Sequence, residues 1–387
     1  MRGGYALVGL MTLLAGSLRA QDPDLVQALA LQRTMQRTIQ QAEPAIACIL
    51  VSRSERYQEV GQGPDREHPG KLGAFDPSAL PRIPNLSTQI ETLQKLLDFT
   101  HPDYVPRAFG SGVVVDARGL ILTNYHVVQD ATKVYVRLPG GKGSYADIHA
   151  ADPRSDLAVL KLLNPNVMPL KTIPLGDADK LERGQFVLTL ANPYAAGFRD
   201  GQPSASWGIL SNIRRRAVSR VKENENVKPF HFYSTLLQTD ARLSLGSSGG
   251  ALVNLQGEMV GLLTSLAAIQ GGETPGGFAV PITANMARII NVLKRGEEVD
   301  YGFLGVGHEP MVEGRRGVRL SNVDPSFPAG YDARLQRGDL LLAINGQPIK
   351  EHDDIFFLIA SQLAGRPFAC RCSAARGFLR RRRPWRS

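Results

Sequence analysis

The chain has 387 residues, more than one hydrophobic core usually organises, so two domains are the starting expectation. Its 43% hydrophobic and 21% charged residues exclude wholesale disorder, and 39 Gly with 25 Pro favour a strand-rich chain over a helical bundle. The net charge of +9 is concentrated in residues 371–387, where seven Arg and no acid occur, and the near-balanced remainder gives no sign of a nucleic-acid partner.

The N-terminus has the pattern of an export signal. Arg2 precedes an apolar run over residues 5–18, and polar residues follow from Gln21. This run is shorter than the roughly 20 residues that span a bilayer, so we predict a secretory signal peptide over residues 1–20, with an uncleaved anchor as the alternative.

Three cysteines, at positions 48, 370 and 372, are too few for a disulfide framework. Cys48 lies in an apolar run and is predicted to be a buried strand residue. Cys370 and Cys372 have no other Cys or His nearby, so they are a weak metal signal and no metal site is predicted.

A helix and a long series of short strands follow the export signal. Residues 24–43 have apolar positions at helical spacing and are predicted to form an amphipathic helix. The later apolar runs are short and separated by Gly, Asn, Asp and Pro, which indicates an antiparallel barrel or sandwich. The predicted strands are 45–51, 112–115, 120–123, 134–138, 157–163, 186–191, 208–213, 251–254, 259–266 and 278–280.

Composition and proline content divide the chain further. The first domain is predicted at 44–295, closed by a helix over 284–294 and interrupted by a polar, proline-rich insertion over 53–107. A second domain is predicted at 300–370, and an Arg-rich tail follows at 371–387.

Three segments carry candidate catalytic side chains. His126 follows a strand and has apolar neighbours, where a histidine is more often packed in a core. Asp156 opens an apolar strand, where it could equally be a turn or cap residue. Ser248 lies in the run 246–250, whose glycines allow a tight turn with converging amides; a flexible turn is the alternative.

Together these residues match the needs of one reaction. A serine hydroxyl is a weak nucleophile until a base takes its proton, and that base needs an acid to fix its tautomer. The chain order His126, Asp156, Ser248 is that of the chymotrypsin fold. Their spacing predicts that the first two lie in one half of a double-barrel protease and Ser248 in the other.

Seven motifs, in order, resemble the HtrA (DegP/DegS-like) family of serine proteases. They lie at 110–113, 123–127, 156–161, 175–177, 239–241, 246–250 and 277–281. The resemblance covers about residues 40 to 365. It implies a mainly β chain, with a trypsin-like double β-barrel followed by one α+β PDZ domain.

The resemblance also implies residue roles. His126 is the expected general base, Asp156 its orienting acid and Ser248 the nucleophile, with an oxyanion hole at Gly246, Ser247 and Ser248. The implied acyl-enzyme mechanism uses no metal, cofactor or nucleotide. Ser247 stands where the family usually has Asn, but its amide remains, so we expect activity. The family's variable LA loop falls on the 53–107 insertion, and a homotrimer or higher homo-oligomer is implied.

Residues 301–306 resemble the carboxylate-binding loop of HtrA-type PDZ domains. Phe303, Leu304, Gly305 and Val306 are expected to hold the C-terminus of a peptide that pairs with a strand edge. The alternative is that this domain only packs on the protease. Residues 368–373 have no evident apolar alternation, so we expect the closing strand to be weak or absent and the domain incomplete.

The leading hypothesis is an ATP-independent serine endopeptidase of the periplasm or cell envelope. It would cleave unfolded or damaged proteins and bind peptide C-termini, with no nucleic acid or nucleotide as partner. The alternatives are a non-catalytic peptide-binding chaperone or sensor, and a narrow regulatory protease activated by peptide binding to the PDZ domain.

Overall fold

The fold comes from a computed structural model and is described over most of the chain. The described residues are 22–54, 95, 97–215, 235–264, 277–310, 316–331, 334–350, 352–360 and 369–373. The predicted signal peptide, most of the 53–107 insertion and the tail beyond 373 lie outside them. No helix within these ranges is long and apolar enough to cross a membrane.

The first barrel is built from the first half of the chain. Helix α1 (Pro23–Ala42) leads into it, and the one-turn helix α2 (Tyr125–Val128) follows its third strand. Its strands are β1 (Ile46–Ser52), β2 (Ala108–Asp116), β3 (Leu120–Asn124), β4 (Lys133–Arg137), β5 (Gly143–Asp152) and β6 (Leu157–Leu162). They close antiparallel in the order β1-β2-β3-β6-β5-β4.

The second barrel repeats this plan. Its strands are β7 (Phe186–Ala191), β8 (Ser204–Arg215), β9 (Leu236–Thr239), β10 (Ala251–Asn254), β11 (Met259–Thr264) and β12 (Gly277–Pro281). They close in the order β10-β11-β12-β9-β8-β7, which confirms the predicted double barrel. Helix α3 (Ala284–Lys294) is capped by the Thr283 hydroxyl, which accepts from the Met286 amide at 3.2 Å, and it packs on the first barrel.

Two of the twelve barrel strands were not predicted from the sequence. β5 contains Gly, Ser, Asp, Ala and His, which are poor strand formers, and β9 has only four residues. Each is paired along both edges, β5 with β4 and β6, and β9 with β8 and β12. Pairing with neighbouring strands therefore outweighs the weak local preference.

A third sheet follows the barrels. It contains β13 (Val306–His308), β14 (Val318–Val323), β15 (Leu340–Ile344), β16 (Gln347–Pro348) and β17 (Cys370–Ser373), with helices α4 (Pro328–Tyr331) and α5 (His352–Ala360). Its buried core includes Leu304, Leu320, Leu341 and Ile355.

The expectation of a weak or absent closing strand is wrong. β17 pairs antiparallel with β15, from Leu340 opposite Ser373 to Ile344 opposite Cys370. Cys370 is buried and Cys372 half-buried, while Arg371 between them is exposed. The alternation is real, but it was hidden because the cysteines here act as small apolar residues. Burial raises the pKa of both thiols to about 12.

The third sheet contacts the barrels through its helix α5. Phe357 packs against both the barrel core and the core of the third sheet. Arg214, at the end of β8, donates a hydrogen bond to the carboxylate of Asp354, which is 5% exposed. The carboxylate also accepts from the Lys350 amide at 2.8 Å.

Candidate active site

His126 and Asp156 form a bonded pair at one end of the first barrel. His126 lies in α2, directly after β3, and Asp156 directly precedes β6, which pairs with β3. The imidazole Nδ1 lies 3.0 Å from Oδ1 and 2.8 Å from Oδ2 of the carboxylate, and the His126 amide donates to Oδ1 at 3.0 Å. Because a carboxylate only accepts, these contacts hold the imidazole proton on Nδ1 and leave Nε2 as the base.

The backbone and a buried amide hold Asp156 in place. Asp156 has a φ of 56°, in the left-handed region that Asp tolerates better than most residues. Its carbonyl accepts from the Tyr125 amide at 3.0 Å. The side-chain amide of Asn124 donates to the same carbonyl and to Oδ2, each at 3.2 Å. Asn124 is fully buried and Asp156 only 4% exposed, so this carboxylate is shielded from water.

The turn before Asp156 is closed by a residue from far along the chain. The Asp152 carboxylate accepts from the Ser155 amide at 2.9 Å and from the hydroxyl of Tyr301. The guanidinium of Arg154 lies 4.5 Å from the centre of the Tyr301 ring. Burial, together with the charge and hydrogen bond of Asp152, raises the pKa of Tyr301 far above its ordinary value. The segment that leads into the third sheet therefore braces the turn that carries Asp156.

The serine turn lies between β9 and β10 and is closed by its own backbone. Gly246 has a φ of 92°, and a Cβ there would lie 2.8 Å from the Phe109 ring. The Ser247 amide donates to the Ser244 carbonyl at 3.0 Å, and the Ser247 hydroxyl accepts from the Ser244 amide at 3.2 Å. The Ser247 amide is thus bonded within the turn in this structure, and its contribution to the oxyanion hole stays a prediction. The amides of Gly246 and Ser248 remain the candidate donors.

Ser111, on β2, joins this turn to the first barrel. Its amide donates to the Ser248 carbonyl at 2.7 Å, and its hydroxyl donates to the Gly246 carbonyl at 2.8 Å. The same hydroxyl accepts from the Asn192 amide at 2.8 Å, and the Ser111 carbonyl accepts from the Thr123 hydroxyl at 2.8 Å. No role for Ser111 was predicted, although a buried serine between two glycines in an apolar strand is a signal that could have indicated one.

His126 and Ser248, the predicted base and nucleophile, line one pocket, and His126 Nε2 makes no hydrogen bond to Ser248. A cavity of about 200 Å³ is bordered by His126, Gly246 and Ser248. The Nε2 atom of His126 is buried and has no hydrogen-bond partner among the described residues. The structure thus joins His126 to Asp156 directly and brings Ser248 to the same pocket. Within the described ranges, no three His, Cys, Asp or Glu side chains converge as a metal site would require.

The predicted carboxylate-binding loop directly precedes β13. The Phe303 side chain is 62% exposed, and its ring centre lies 4.9 Å from that of Phe327. Leu304 is buried in the core of the third sheet, so it could contribute only backbone groups. Gly305 has a φ of 72°, and a Cβ there would lie 2.3 Å from the Cβ of Phe327. Val306, half-buried, begins the strand.

Two closed barrels, a bonded His–Asp pair and a glycine-flanked serine turn, followed by a small mixed domain, define a trypsin-like serine protease with a PDZ domain. The trypsin-like peptidase domain family matches residues 110–262, and the PDZ domain family matches residues 292–362.

Similar proteins carry the assignment further. The chain is 31% identical to a probable periplasmic serine endoprotease, DegP-like, of Pseudomonas fluorescens, over 94% of this chain and 71% of that protein. It is 35% identical to the periplasmic serine endoprotease DegP of Escherichia coli, over 62% of this chain and 49% of that protein. The chain belongs to the HtrA family of serine proteases. It spans 71% of the Pseudomonas relative and about half the length of the Escherichia relative.

Solved structures with the same architecture support the fold. The HtrA-type protease AlgW with a tripeptide is 23% identical and matches with a TM-score of 0.55, over 90% of this chain and 94% of that chain. A serine endoprotease from Yersinia pestis is 24% identical and matches with a TM-score of 0.51, over 90% and 95% of the two chains.

Proposed function

We propose that this protein is an ATP-independent serine endopeptidase of the periplasm or cell envelope that cleaves unfolded or damaged proteins. The observation that carries the proposal is the His126–Asp156 pair, with Nδ1 2.8 Å from Oδ2, whose imidazole lines the same pocket as Gly246 and Ser248. The location rests on the similar proteins, which are described as periplasmic.

In the proposed reaction, the Ser248 hydroxyl attacks the substrate carbonyl while His126 Nε2 takes its proton. Asp156 holds the imidazole and stabilises the imidazolium that forms. The amides of Gly246 and Ser248 stabilise the oxyanion, and His126 then gives the proton to the leaving amine. A water molecule, activated by the same imidazole, hydrolyses the acyl-enzyme and restores Ser248. Approach of Ser248 to Nε2 is part of this cycle, since that bond is absent from the structure.

Unfolded chains are the proposed substrates because the HtrA family, to which the chain belongs, is associated with protein quality control, and because only an unfolded segment can bring its backbone to the pocket between the barrels. The PDZ loop at Phe303 to Val306 is proposed to hold peptide C-termini through its backbone amides, with the exposed Phe303 ring at the rim.

Self-association is also proposed. Phe186, Trp207 and Ile209 lie on the paired strands β7 and β8 and are 37%, 59% and 36% exposed. Apolar side chains grouped in this way are typical of a protein interface, which supports a homotrimer or higher homo-oligomer. Sedimentation of the wild type and of Trp207→Asp tests this, with the exposed Phe303→Asp as control. A monomeric wild type would exclude it.

The activity is tested with a fluorophosphonate probe and an unfolded model protein. We expect the wild type to be labelled and to cleave, Ser248→Ala to do neither, and the exposed control Ser326→Ala to behave as the wild type. A folded wild type that is unlabelled, yet protects unfolded protein from aggregation, would favour the chaperone or sensor.

A regulatory protease that is activated by peptide is the second candidate. The unbonded Nε2 of His126 favours it, because the catalytic serine and base must still come together. Adding peptides of varied C-terminal sequence to the full chain would then raise kcat by a large factor. Equal rates with and without peptide would favour the constitutive enzyme.

A further inference from the structure

Two arginines stand at the wall of the pocket that His126, Gly246 and Ser248 share. Arg53 follows β1, Arg107 directly precedes β2, and both side chains are exposed at the pocket. The serine protease assignment gives neither residue a role. Their position, charge and surroundings bear on which substrates the proposed enzyme prefers.

The pocket lies on the leaving-group side of the cleaved bond. His126 Nε2 must deliver a proton to the amine nitrogen that leaves, so the first residue of the leaving peptide has to lie against the imidazole. The pocket is lined by that imidazole, by Gly246, and by Ala108 and Phe109 on β2. No residue of β9, β11 or β12 lines it.

Arg53 is held rigidly behind the base. Its Nε donates to the Gln129 carbonyl at 2.9 Å, and its Nη2 donates to the Val127 carbonyl at 3.1 Å. Val127 is the neighbour of His126 in α2, so these bonds fix a permanent positive charge at the pocket wall.

Arg107 supplies a second charge. No hydrogen bond or ion pair joins its guanidinium to another described residue. Among the residues that the structure describes, no Asp or Glu lines the pocket either. The carboxylate nearest to the base, that of Asp156, lies on the opposite edge of the imidazole, bonded to Nδ1 and 5% exposed. The described lining of the pocket therefore presents two cations and no carboxylate.

We infer that Arg53 and Arg107 make this pocket select a carboxylate within the first two residues after the cleaved bond. The inference rests on the proposed endopeptidase function and specifies its substrate class. The carboxylate can be an Asp or Glu side chain or the C-terminus of the substrate itself. A guanidinium matches either in charge and geometry.

Matched internally quenched peptides test the inference with the full-length protein. They carry Glu or Gln at the first or second position after the cleavage site and end in an amide. We expect kcat/KM to be about tenfold higher for Glu, since partly exposed ion pairs each contribute modestly. The preference should shrink at high salt, because exposed charges are screened. A further pair of peptides ends at the second position after the cleavage site, one with a free C-terminal carboxylate and one with an amide. Comparing their kcat/KM separates recognition of a terminal carboxylate from recognition of a side-chain carboxylate.

Variants assign the effect to the arginines. Arg107→Gln should lower the Glu/Gln ratio about threefold, and Arg107→Glu should lower it further. Arg288→Gln, an exposed cation on α3, is the matched control and should leave the ratio unchanged. If the probe labels the protein but Glu and Gln peptides are cleaved equally, this inference is overturned and the proposed function is kept. The same holds if Arg107→Gln and Arg53→Gln both leave the Glu/Gln ratio of kcat/KM unchanged. Absence of labelling and of all cleavage would overturn the proposed function and the inference with it.

Discussion

The hydroxyl of Tyr301 donates a hydrogen bond to the carboxylate of Asp152, at the start of the turn that carries Asp156. Tyr301 belongs to the segment entering the PDZ domain, and Asp152 ends β5 of the first barrel. The bond ties the position of Asp156, the proposed catalytic acid, to the junction of the two domains.

Removing this hydroxyl should loosen the turn. We expect Tyr301→Phe to lower the free energy of unfolding by about 2 kcal/mol, because a carboxylate that is 7% exposed loses a donor. We also expect kcat to fall with little change in KM. Chemical denaturation and steady-state kinetics measure both effects. Tyr145→Phe is the matched control, since the Tyr145 hydroxyl is buried without a partner among the described residues, and its removal should be neutral or stabilising.

Tyr301 should also make the free energy of unfolding depend on pH in the alkaline range. Its pKa is raised in the folded protein, so the folded state keeps the phenol proton while the unfolded chain releases it above about pH 10. The stabilisation is therefore complete below that pH and is lost as the pH rises further. Denaturation of wild type and Tyr301→Phe from neutral to alkaline pH should give curves that converge. A constant difference would contradict this assignment.

Asp116, at the contact between β2 and α3, should make the free energy of unfolding depend on pH in the acidic range. Hydrogen bonds from Arg118, aided by the charge of Lys294, lower the pKa of Asp116 to about 2. Its stabilisation should be present above pH about 4, the pKa of an unfolded Asp, and fade as the pH falls toward 2. The advantage of wild type over Asp116→Asn, measured by urea denaturation, should vanish over that range. Asp179→Asn should instead stabilise the protein near neutral pH, because burial raises the pKa of Asp179 and so disfavours its charged form in the folded state. This gain should fade as the pH falls and Asp179 becomes protonated.

Ser111 should matter more for catalysis than its distance from the reaction suggests. Ser111→Ala removes the hydroxyl that donates to the Gly246 carbonyl and accepts from Asn192. We expect a loss of about 1–3 kcal/mol in stability and a fall of at least about tenfold in kcat as the oxyanion turn loosens. Ser144→Ala is the matched control. Its buried hydroxyl also bonds to backbone, at Tyr145, Leu163 and Asn164, but away from the turn, so stability should fall while kcat is kept.

Exchanging the acid of the pair should test the tautomer argument. Asp156→Asn keeps the shape of the side chain but can donate to Nδ1, which places the imidazole proton on Nε2 and removes the base. We expect kcat to fall by about 10⁴ with the fold retained, because the base is then in the wrong tautomer. Asp177→Asn, at the start of a short helical turn, should have no effect, since both residues cap well. Full activity of Asp156→Asn would rule out this role.

Much of the site followed from local sequence. The order of His126, Asp156 and Ser248 predicted a double barrel, because each lies beside a short apolar strand or a glycine-rich turn that can be recognised without its partners. Helix α3 was predicted at its observed bounds, 284–294, and the structure adds the Thr283 cap at its start.

Tertiary structure decided what depends on contacts between distant residues. Ser111 reaches the serine turn, and Tyr301 reaches Asp152, across more than a hundred positions of sequence. The Ser247 amide bonds to the Ser244 carbonyl only in one backbone conformation of the turn, and the residue types alone do not determine that conformation. β17 became a strand because β15 offered it an edge and a core that could bury Cys370. The sequence by itself determined the family and the candidate triad, through local motifs in a fixed order. The packing of the barrels decided which buried hydrogen bonds hold that triad, and which charges face its pocket, because those contacts have no local pattern.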